Sequence, residues 1–355
     1  MPGAEAFHAA GDEIVVAGRY FHTGTRVHLW TEWPNYDAYR VEKRFGPVEK
    51  AGWAQQSAAG REPQRLGTRF VRFGTEKQPE EPIPTTTSED VLTADIDRRC
   101  TMLELRREGT FAERWREGGW ALGDLQKCVD QFVIHYDAAG TSRRCFRVLH
   151  DVRGLSVHFM LDLDGTIYQT CDLKERTFHA TTSNDRSIGI EIANIGAYAD
   201  AAKSPIKDWY DTRLPGRAEL IAPAGATPDQ PPFGTCMPLL SVRGELVVGE
   251  IHGQRLEQYD LTPAQYDALT RLTATLCTIF PNLPCDYPRD GEGRLITTNL
   301  DETRLKQYRG LLGHYHIQSN KVDPGPAFQW DQVVDGARAL MRSESTSTKA
   351  NESAR

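Results

Sequence analysis

Apolar and polar residues alternate along two stretches of the chain, and a period of two predicts strands. In the first stretch, LSVHFMLDLDGTIYQ, every second position is apolar: Leu155, Val157, Phe159, Leu161 and Leu163. We predict a strand there with one buried face. The Asp164-Gly165 pair that follows predicts a tight hairpin turn, because glycine tolerates a positive φ. In the second stretch, SIGIEIAN, three isoleucines share one face, which puts Gly189 and Glu191 on the other.

Two helices are predicted near the C-terminal end by apolar residues at helical spacing. The first begins at Thr262, which forms a capping box with Gln265, while Pro263 suits the first helical position. Its apolar stripe consists of Leu269, Leu272 and Leu276, before Pro281. The second helix follows Pro326, and its stripe consists of Val333, Val334, Ala337 and Leu340.

These elements together predict the fold class. A short apolar run, residues 132–134, predicts one more strand, which carries His135 at its end. Strands that alternate with helices are typical of an α/β domain, and the hairpin implies a mixed sheet. We therefore predict an α/β fold with a mixed central β-sheet flanked by helices, together with a small N-terminal β-rich module.

Composition divides the chain into segments. We predict a small β-rich module of unknown role (1–75), a linker (76–90), a connecting segment (91–125), the main domain (126–342) and a disordered tail (343–355). The linker, EKQPEEPIPTTTSED, is rich in Pro, Thr and acidic residues and has no apolar period. A chain that begins near Val91 is expected to fold without the module. An insertion at about 197–258 is long enough to predict a functional or disordered loop.

Bulk composition narrows the class of partner. The hydrophobic fraction of 39% and charged fraction of 26% suit a soluble globular protein, and a net charge of −7 disfavours nucleic acid. No apolar run approaches the roughly 20 residues that span a bilayer, so no membrane partner is expected. The N-terminus lacks the features of a secretory signal, which predicts a cytoplasmic location, with release by lysis or non-classical export left open. The oligomeric state stays open.

Candidate metal ligands occur in two segments of the main domain. His135 ends a predicted strand, and GHYHIQSNKVDPGPAFQW brings His314, Lys321 and Asp323 together beside a rigid Pro-Gly-Pro turn. Two imidazoles and one carboxylate form a usual open zinc site, with a fourth position left for water or substrate. His316 could share the face of His314. The seven cysteines include no CxxC pair, which disfavours a cysteine-based zinc site.

Four segments, in their order along the chain, resemble the zinc amidases of peptidoglycan. They are VIHYD, SVHF with DGTIYQ, FHAT with SIGIEIAN, and GHYH with KVDPGPAFQW. That family includes phage lysozyme-type amidases, bacterial muropeptide-recycling amidases and animal peptidoglycan-recognition proteins. The resemblance covers roughly Gln131 to Met341, and its most specific part is the block from the histidine to DPGPAF and Trp. It implies a zinc hydrolase that cleaves the amide bond between N-acetylmuramic acid and L-alanine in peptidoglycan or muropeptides.

The resemblance also implies a set of metal ligands. His135, His314 and Asp323 would hold Zn²⁺ as the cofactor. His314 is preferred to His316 because it follows a glycine, as the family's ligand does.

Three further residues fall at positions that the family uses near the metal. Glu191 lies where the recycling-type enzymes have a catalytic carboxylate, and it could carry a proton from water to the leaving amine. Lys321 lies where they have a catalytic lysine, and its charge could stabilise an oxyanion. His179 matches a His-Ala element at the edge of the cleft, which makes it a candidate substrate contact or a structural histidine.

Alternatives to this function stay open from sequence alone. One is a non-catalytic peptidoglycan-binding module of the same fold, which would be signalled by loss of a zinc ligand. Another is a zinc hydrolase of the same fold that acts on a different amide. Within the amidase class, recycling of muropeptides and turnover of the intact wall are both open, as are the glycan form and the stem-peptide length.

Overall fold

The computed structural model describes residues 11–32, 36–38, 122–175, 177–184, 186–221 and 238–353. The strands are β1 (Glu13–Val16), β2 (Arg19–His22), β3 (Val27–Leu29), β4 (Gln131–Tyr136), β5 (Phe159–Leu161), β6 (Ile167–Gln169), β7 (Ser187–Ile192), β8 (Tyr210–Asp211), β9 (Glu219–Leu220), β10 (Val247–Ile251), β11 (Gln254–Gln258) and β12 (Gly310–Gly313). The helices are α1 (Leu122–Cys128), α2 (Ser142–Phe146), α3 (Ile206–Trp209), α4 (Pro263–Ile279), α5 (Glu302–Gln307) and α6 (Trp330–Ser353). None of the described helices is both long and apolar enough to cross a bilayer.

Six strands form the central sheet, in the order β12-β4-β7-β5-β6-β3. Neighbours from β12 to β5 run parallel, β5 and β6 are antiparallel, and β6 runs parallel to β3. The β5–β6 hairpin turns at Gly165, whose φ is +83°. The sheet is therefore mixed and carries helices, which confirms the predicted fold class and the predicted hairpin.

One face of the sheet packs against the long helices α4 and α6. The isoleucines of β7 are fully buried there and share a core with Leu269, Leu272 and Leu276 of α4 and with Val333 and Val334 of α6. α4 begins with the predicted capping box, in which the Thr262 hydroxyl accepts from the Gln265 backbone N–H and the Gln265 side chain accepts from the Thr262 N–H. These contacts anchor the sheet on the side away from the candidate site.

The opposite face is covered by α2 and by the π-helical stretch that extends it, Arg147–Val152. Cys145, Phe146 and Leu149 from these turns form a core with Met160 of β5. The prediction of a single buried face for the β5 region is therefore wrong. His158 and Asp162, on the polar side of the alternation, are both fully buried.

The N-terminal strands belong to the same body as the main sheet. β3 pairs with β6 as an edge strand of the central sheet, and β1 with β2 forms a hairpin that packs on it. The Val15 N–H donates to Gln169 Oε1 at 2.8 Å, and the Ala17 N–H donates to Asp172 Oδ1 at 2.7 Å. The predicted independence of the main domain is thus at odds with these contacts, although the boundaries of the segments stay a prediction.

Several sequence predictions fall wholly or largely outside the described residues. They concern most of the N-terminal module (1–75), the linker and most of the connecting segment. At the other end, α6 continues to Ser353, past the point where the sequence predicts a disordered tail. A helix that is already anchored by packing needs no new nucleus, so it can extend through a polar sequence. No disulfide joins the five described cysteines.

Candidate metal centre and active site

The first two candidate ligands come from adjacent parallel strands. β4 and β12 are paired so that Ile134 lies opposite Gly313, and the next residues along the two strands are His135 and His314. Parallel strands end at the same edge of a sheet, so the two imidazoles meet, with ring centroids 4.5 Å apart. Both side chains are buried.

The third candidate ligand, Asp323, comes from the turn that leads to α6. The Tyr315 N–H donates to the Asp323 carbonyl at 3.2 Å, which ties this turn back to the residues after β12. Gly313 leaves room for the ring of Pro324, because a β-carbon at residue 313 would come within 2.7 Å of it. The Pro-Gly-Pro segment thus folds directly over the end of β12 and points Asp323 toward the histidines.

The three side chains form one compact cluster of donor atoms. His135 Nδ1 lies 2.8 Å and His314 Nδ1 lies 3.1 Å from the same carboxylate oxygen of Asp323. One ligand atom from each residue lies within 4.8 Å of the other two. The three residues predicted as metal ligands therefore converge, and two imidazoles with one carboxylate suit zinc with an open position.

The outer nitrogens of both imidazoles have acceptors. His135 Nε2 lies 3.0 Å from His179 Nδ1, and His314 Nε2 lies 2.7 Å from Gln318 Oε1. A proton on each Nε2 satisfies both contacts and leaves each Nδ1 lone pair directed at the centre of the cluster. Metal-binding histidines usually have their second nitrogen held in this way. The arrangement therefore fits a metal ion.

Electrostatics favour the protonation states that metal binding requires. Burial, and then the nearby His314, lower the pKa of His135 to about 4 against the opposing effect of Asp323. Burial alone would raise the pKa of Asp323, but His314 and His135 hold it well below the usual range. Near neutral pH His135 is therefore uncharged and Asp323 ionised, as ligands must be.

Glu191 lies beside the cluster on the same face of the sheet. The β4–β7 register sets its α-carbon opposite that of His135, and its side chain is partly buried. Burial raises the pKa of Glu191 well above its ordinary value, and the carboxylates of Asp323 and Asp137 raise it further. A raised pKa makes an ionised carboxylate a stronger proton acceptor, which is what a general base requires. This is the chemistry predicted for it from sequence, and the assignment stays a prediction.

Lys321 lies in the loop between His314 and Asp323 and is partly exposed. Its backbone N–H donates to the Gln318 carbonyl at 3.1 Å, and its carbonyl accepts from His252 Nε2 at 3.0 Å. Its positive charge acts on both His135 and Glu191, lowering the pKa of each. Lys321 is thus held by its backbone close to the cluster.

His316, the alternative ligand, has both ring nitrogens engaged elsewhere. Its Nδ1 accepts from the Gly313 N–H at 2.8 Å, and its Nε2 lies 2.8 Å from the Ile296 carbonyl oxygen, to which it donates. The ring is fully buried, and burial lowers its pKa to about 3. His316 therefore supports the turn after β12 and has no lone pair for a metal.

Sequence reasoning missed three side chains that support the cluster. Gln318 lies four residues after His314, and that spacing on a helical turn was a usable signal. Gln258 and His252 come from the β10–β11 hairpin in the insertion and contact the Asp323 turn and the Lys321 carbonyl. Nothing in the local sequence indicates those two contacts, because they depend on how the insertion folds back.

A cluster of two imidazoles and one carboxylate beside a buried glutamate is typical of metal-dependent hydrolases. The family model for N-acetylmuramoyl-L-alanine amidase matches residues 125–326, more than half of the chain, and the chain belongs to this family. The resemblance found in the sequence is thereby confirmed. A search of curated proteins found no match.

Solved structures of amidases show distant similarity. AmiD from E. coli, in complex with the substrate anhydro-N-acetylmuramic acid-L-Ala-D-gamma-Glu-L-Lys, is 19% identical over 59% of this chain, with a TM-score of 0.34. This chain spans 57% of the AmiD chain. The endolysin LysCS from Clostridium intestinale URNW is 16% identical over 58% of this chain and 80% of its own, with a TM-score of 0.30. The Ph2119 endolysin from a Thermus scotoductus MAT2119 bacteriophage is 14% identical over 59% of this chain and 84% of its own, with a TM-score of 0.29.

Proposed function

We propose that this chain is a zinc-dependent amidase that cleaves the amide bond between N-acetylmuramic acid and L-alanine. One observation carries the proposal: ligand atoms of His135, His314 and Asp323 lie within 4.8 Å of one another, on the sheet face that bears Glu191. Membership of the N-acetylmuramoyl-L-alanine amidase family supports the same bond as the target.

The three converging residues would hold Zn²⁺ through His135 Nδ1, His314 Nδ1 and Asp323 Oδ2. When bound there, zinc supplies Lewis-acid polarisation of the scissile carbonyl and activation of a water molecule. Gln318 Oε1 would keep the proton of His314 on its outer nitrogen, so that the inner lone pair stays available.

Glu191 would act as the general base and then as the general acid. Its carboxylate accepts a proton from the attacking water and returns that proton to the amine of L-alanine as the amide bond breaks. The burial that raises the pKa of Glu191 also strengthens it as a proton acceptor. Since Glu191 lies next to His135 on the neighbouring strand, it can serve this purpose without contributing a ligand atom.

Lys321 would stabilise the negative charge that develops on the carbonyl oxygen. Its backbone is fixed at the N–H and at the carbonyl, by Gln318 and by His252. A cation that is already positioned needs little reorganisation when the oxyanion forms, which is the basis of electrostatic stabilisation.

We propose muropeptides or peptidoglycan fragments as the substrate class. The AmiD complex contains an anhydro-muropeptide, and a ligand of that kind would suit this chain's family. The insertion follows Glu191 along the chain, and its hairpin contacts the Asp323 turn through Gln258. We infer that the insertion walls the cleft and restricts which muropeptides enter.

The proposal is tested by mass spectrometry of digests of intact sacculi and of purified anhydro-muropeptides. The full chain is assayed as purified, after treatment with a zinc chelator, and after zinc is added back. Release of peptides that begin with L-alanine, abolished by chelator and restored by zinc, is expected. Binding without any cleavage would favour the non-catalytic module, and cleavage at a different amide would favour another specificity. Faster digestion of anhydro-muropeptides would indicate recycling, and faster digestion of intact sacculi would indicate turnover of the wall.

A further inference from the structure

We propose that His179 is a positioning residue, which fixes the tautomer and the ring orientation of His135 and is itself held by Ser187. The inference rests on the proposed metal site but not on the substrate or the reaction. Of the two roles that the sequence leaves open for His179, substrate contact and a structural histidine, it develops the second.

The contacts form a short chain that leads away from the metal cluster. His135 Nε2 lies 3.0 Å from His179 Nδ1, and His179 Nε2 lies 3.2 Å from Ser187 Oγ. The rings of His135 and His179 meet edge to face, at 82° with centroids 5.2 Å apart. When both histidines carry their proton on Nε2, His135 donates to His179 and His179 donates to Ser187. The same assignment leaves His135 Nδ1 without a proton, on the side that faces Asp323.

The strand β7 is shaped to receive the His179 ring. A β-carbon on Gly189 would lie 2.5 Å from His179 Nδ1, closer than such atoms approach, so the ring occupies the space that a side chain would need. The positions Ser187, Gly189 and Glu191 alternate along one face of this strand. They respectively anchor the His179 ring, make room for it, and carry the proposed general base.

The backbone around His179 is fixed as well. The N–H groups of His179 and Ala180 both donate to Asn184 Oδ1, at 3.1 and 2.7 Å. These two bonds tie the backbone at residues 179 and 180 to the end of the turn that precedes β7. His179 therefore approaches His135 from a rigid support, which a group that orients a metal ligand requires.

Other roles for His179 fit these contacts less well. It cannot bind the same metal ion as His135 Nδ1, because it faces the Nε2 side of that ring, away from Asp323. A primary role in substrate contact would require a ring nitrogen, yet one already faces His135 and the other faces Ser187. A role in orienting His135 accounts for both ring nitrogens of His179 in the contacts that they already make.

The test compares His179→Leu, which removes the acceptor, with His179→Asn, whose side-chain oxygen can reach roughly the position of Nδ1. His22→Ala serves as the matched control, since His22 is exposed and lies in β2. Zinc affinity of the full chain is measured by competition with a chromophoric chelator, and the unfolding of the zinc-free forms is measured in parallel. Nitrogen NMR of His135 reports which of its ring nitrogens carries the proton.

We expect His179→Leu to weaken zinc binding by about 10–100-fold, the usual effect of losing an outer contact to a metal ligand. His179→Asn should recover most of that loss, and His22→Ala should bind zinc like the wild type. In zinc-free His179→Leu, the His135 proton should shift toward Nδ1, because Asp323 Oδ2 lies 2.8 Å from that nitrogen and the acceptor at Nε2 is gone. Wild-type zinc affinity in a folded His179→Leu would overturn the proposal, and so would an equal loss in His179→Asn and His179→Leu.

Failure of the amidase proposal leaves a different signature. A wild-type chain that binds zinc and cleaves no muropeptide would refute the amidase activity without touching the role of His179. Unchanged zinc affinity combined with a higher KM for muropeptide in His179→Leu would instead make His179 a substrate contact and overturn positioning.

Discussion

The side chain of Gln258 forms hydrogen bonds to the backbone on both sides of Gly325, in the turn before α6. Its Nε2 donates to the Pro324 carbonyl at 3.0 Å, and its Oε1 accepts from the Ala327 N–H at 3.0 Å. A β-carbon on Gly325 would collide with this amide, so the glycine is needed for the approach. The last residue of the insertion hairpin thus fixes the turn that carries Asp323, and the insertion is structurally part of the candidate metal centre.

Replacing Gln258 with Leu is expected to weaken both stability and zinc binding. It leaves the Pro324 carbonyl and the Ala327 N–H buried without a partner, at about 1–3 kcal/mol for each. Loss of the clamp should also let Asp323 move, which should lower zinc affinity. Chemical denaturation and zinc competition measure the two effects. The matched control is Gln254→Leu, because Gln254 is exposed at the other end of the same strand, β11. Equal effects of the two variants would contradict the clamp.

The Glu191→Gln variant should retain its full zinc content but turn over substrate slowly. The amide keeps the size of the side chain but cannot accept a proton from water, so kcat should fall by roughly 10²–10⁴-fold. Zinc content, measured by atomic emission on the purified variant, should stay at the wild-type level. Near-wild-type turnover would remove Glu191 from the mechanism.

Lys321→Ala should lower the rate of turnover, whereas Asp323→Ala should lower the zinc content. Loss of a charge that acts on the oxyanion lowers kcat more than it raises KM, so Lys321→Ala should be slow and zinc-replete. Asp323→Ala removes a ligand and should be zinc-poor at micromolar zinc. Steady-state kinetics and metal content on the same preparations separate the two. A zinc-poor Lys321→Ala would mean that this lysine chiefly supports the turn.

Asp162→Asn should be more stable than the wild type at neutral and higher pH. Burial, and then the charge of Asp164, raise the pKa of Asp162 to about 7, well above that of an unfolded aspartate. The folded state therefore holds this proton more tightly, and the wild type loses stability as pH rises between about 4 and 7. Asparagine keeps the oxygen that accepts from the Leu163 N–H at 2.9 Å and has no charge to bury.

The difference between the two unfolding free energies should therefore grow with pH up to about 7 and then level off, at on the order of 1–4 kcal/mol. Subtracting the unfolding free energy of the wild type from that of the variant cancels the contributions of other titrating groups. One such group is His158, because burial lowers its pKa to about 4 and its effect on stability has the opposite sign. Urea titrations at several pH values give the curve. Asp208→Asn, at an exposed position of α3, should show no such trend. A flat difference for Asp162→Asn would refute the linkage.

Removal of the N-terminal strands should destabilise the main domain. Ile14, Val15 and Val16 are fully buried in the main core, and β3 covers the edge of β6. Ile14→Ala in the full chain is expected to cost about 2–5 kcal/mol. Arg19→Ala, at an exposed position of β2, is the control. A chain that begins at Val91 should be poorly soluble, and well-folded protein from it would restore the idea of a separable module.

The sequence predicts the parts of this structure that depend on local pattern. Alternation around Ile190 and the capping box at Thr262 depend on neighbours within a few residues, and both are present. It fails where a distant segment decides the outcome. The polar positions His158 and Asp162 are buried by other segments of the chain, and a hydrogen-bond partner such as the Glu175 carbonyl for His158 cannot be read from the strand itself.

In the candidate site, too, the sequence predicts what depends on residue type and order but not what depends on contacts between distant segments. His135, His314 and Asp323 were found by residue type and order, and the family supplied the choice of His314 over His316. The physical reason for that choice is visible only in three dimensions, where His316 bonds to Gly313 and Ile296. For His179 the sequence suggested proximity to the cleft, whereas its partner, His135, lies 44 positions earlier in the chain.

The pairing of His135 with Asp323 spans 188 positions of sequence. During synthesis the first imidazole therefore leaves the ribosome long before the carboxylate that completes the cluster, and β4 cannot pair with β12 until then either. Contacts between distant positions form late and slow the folding of a chain. A nascent chain that stops short of Asp323 has the first histidine but no place to hold a metal ion. Metal binding of the proposed kind would therefore have to follow synthesis of the chain as far as Asp323.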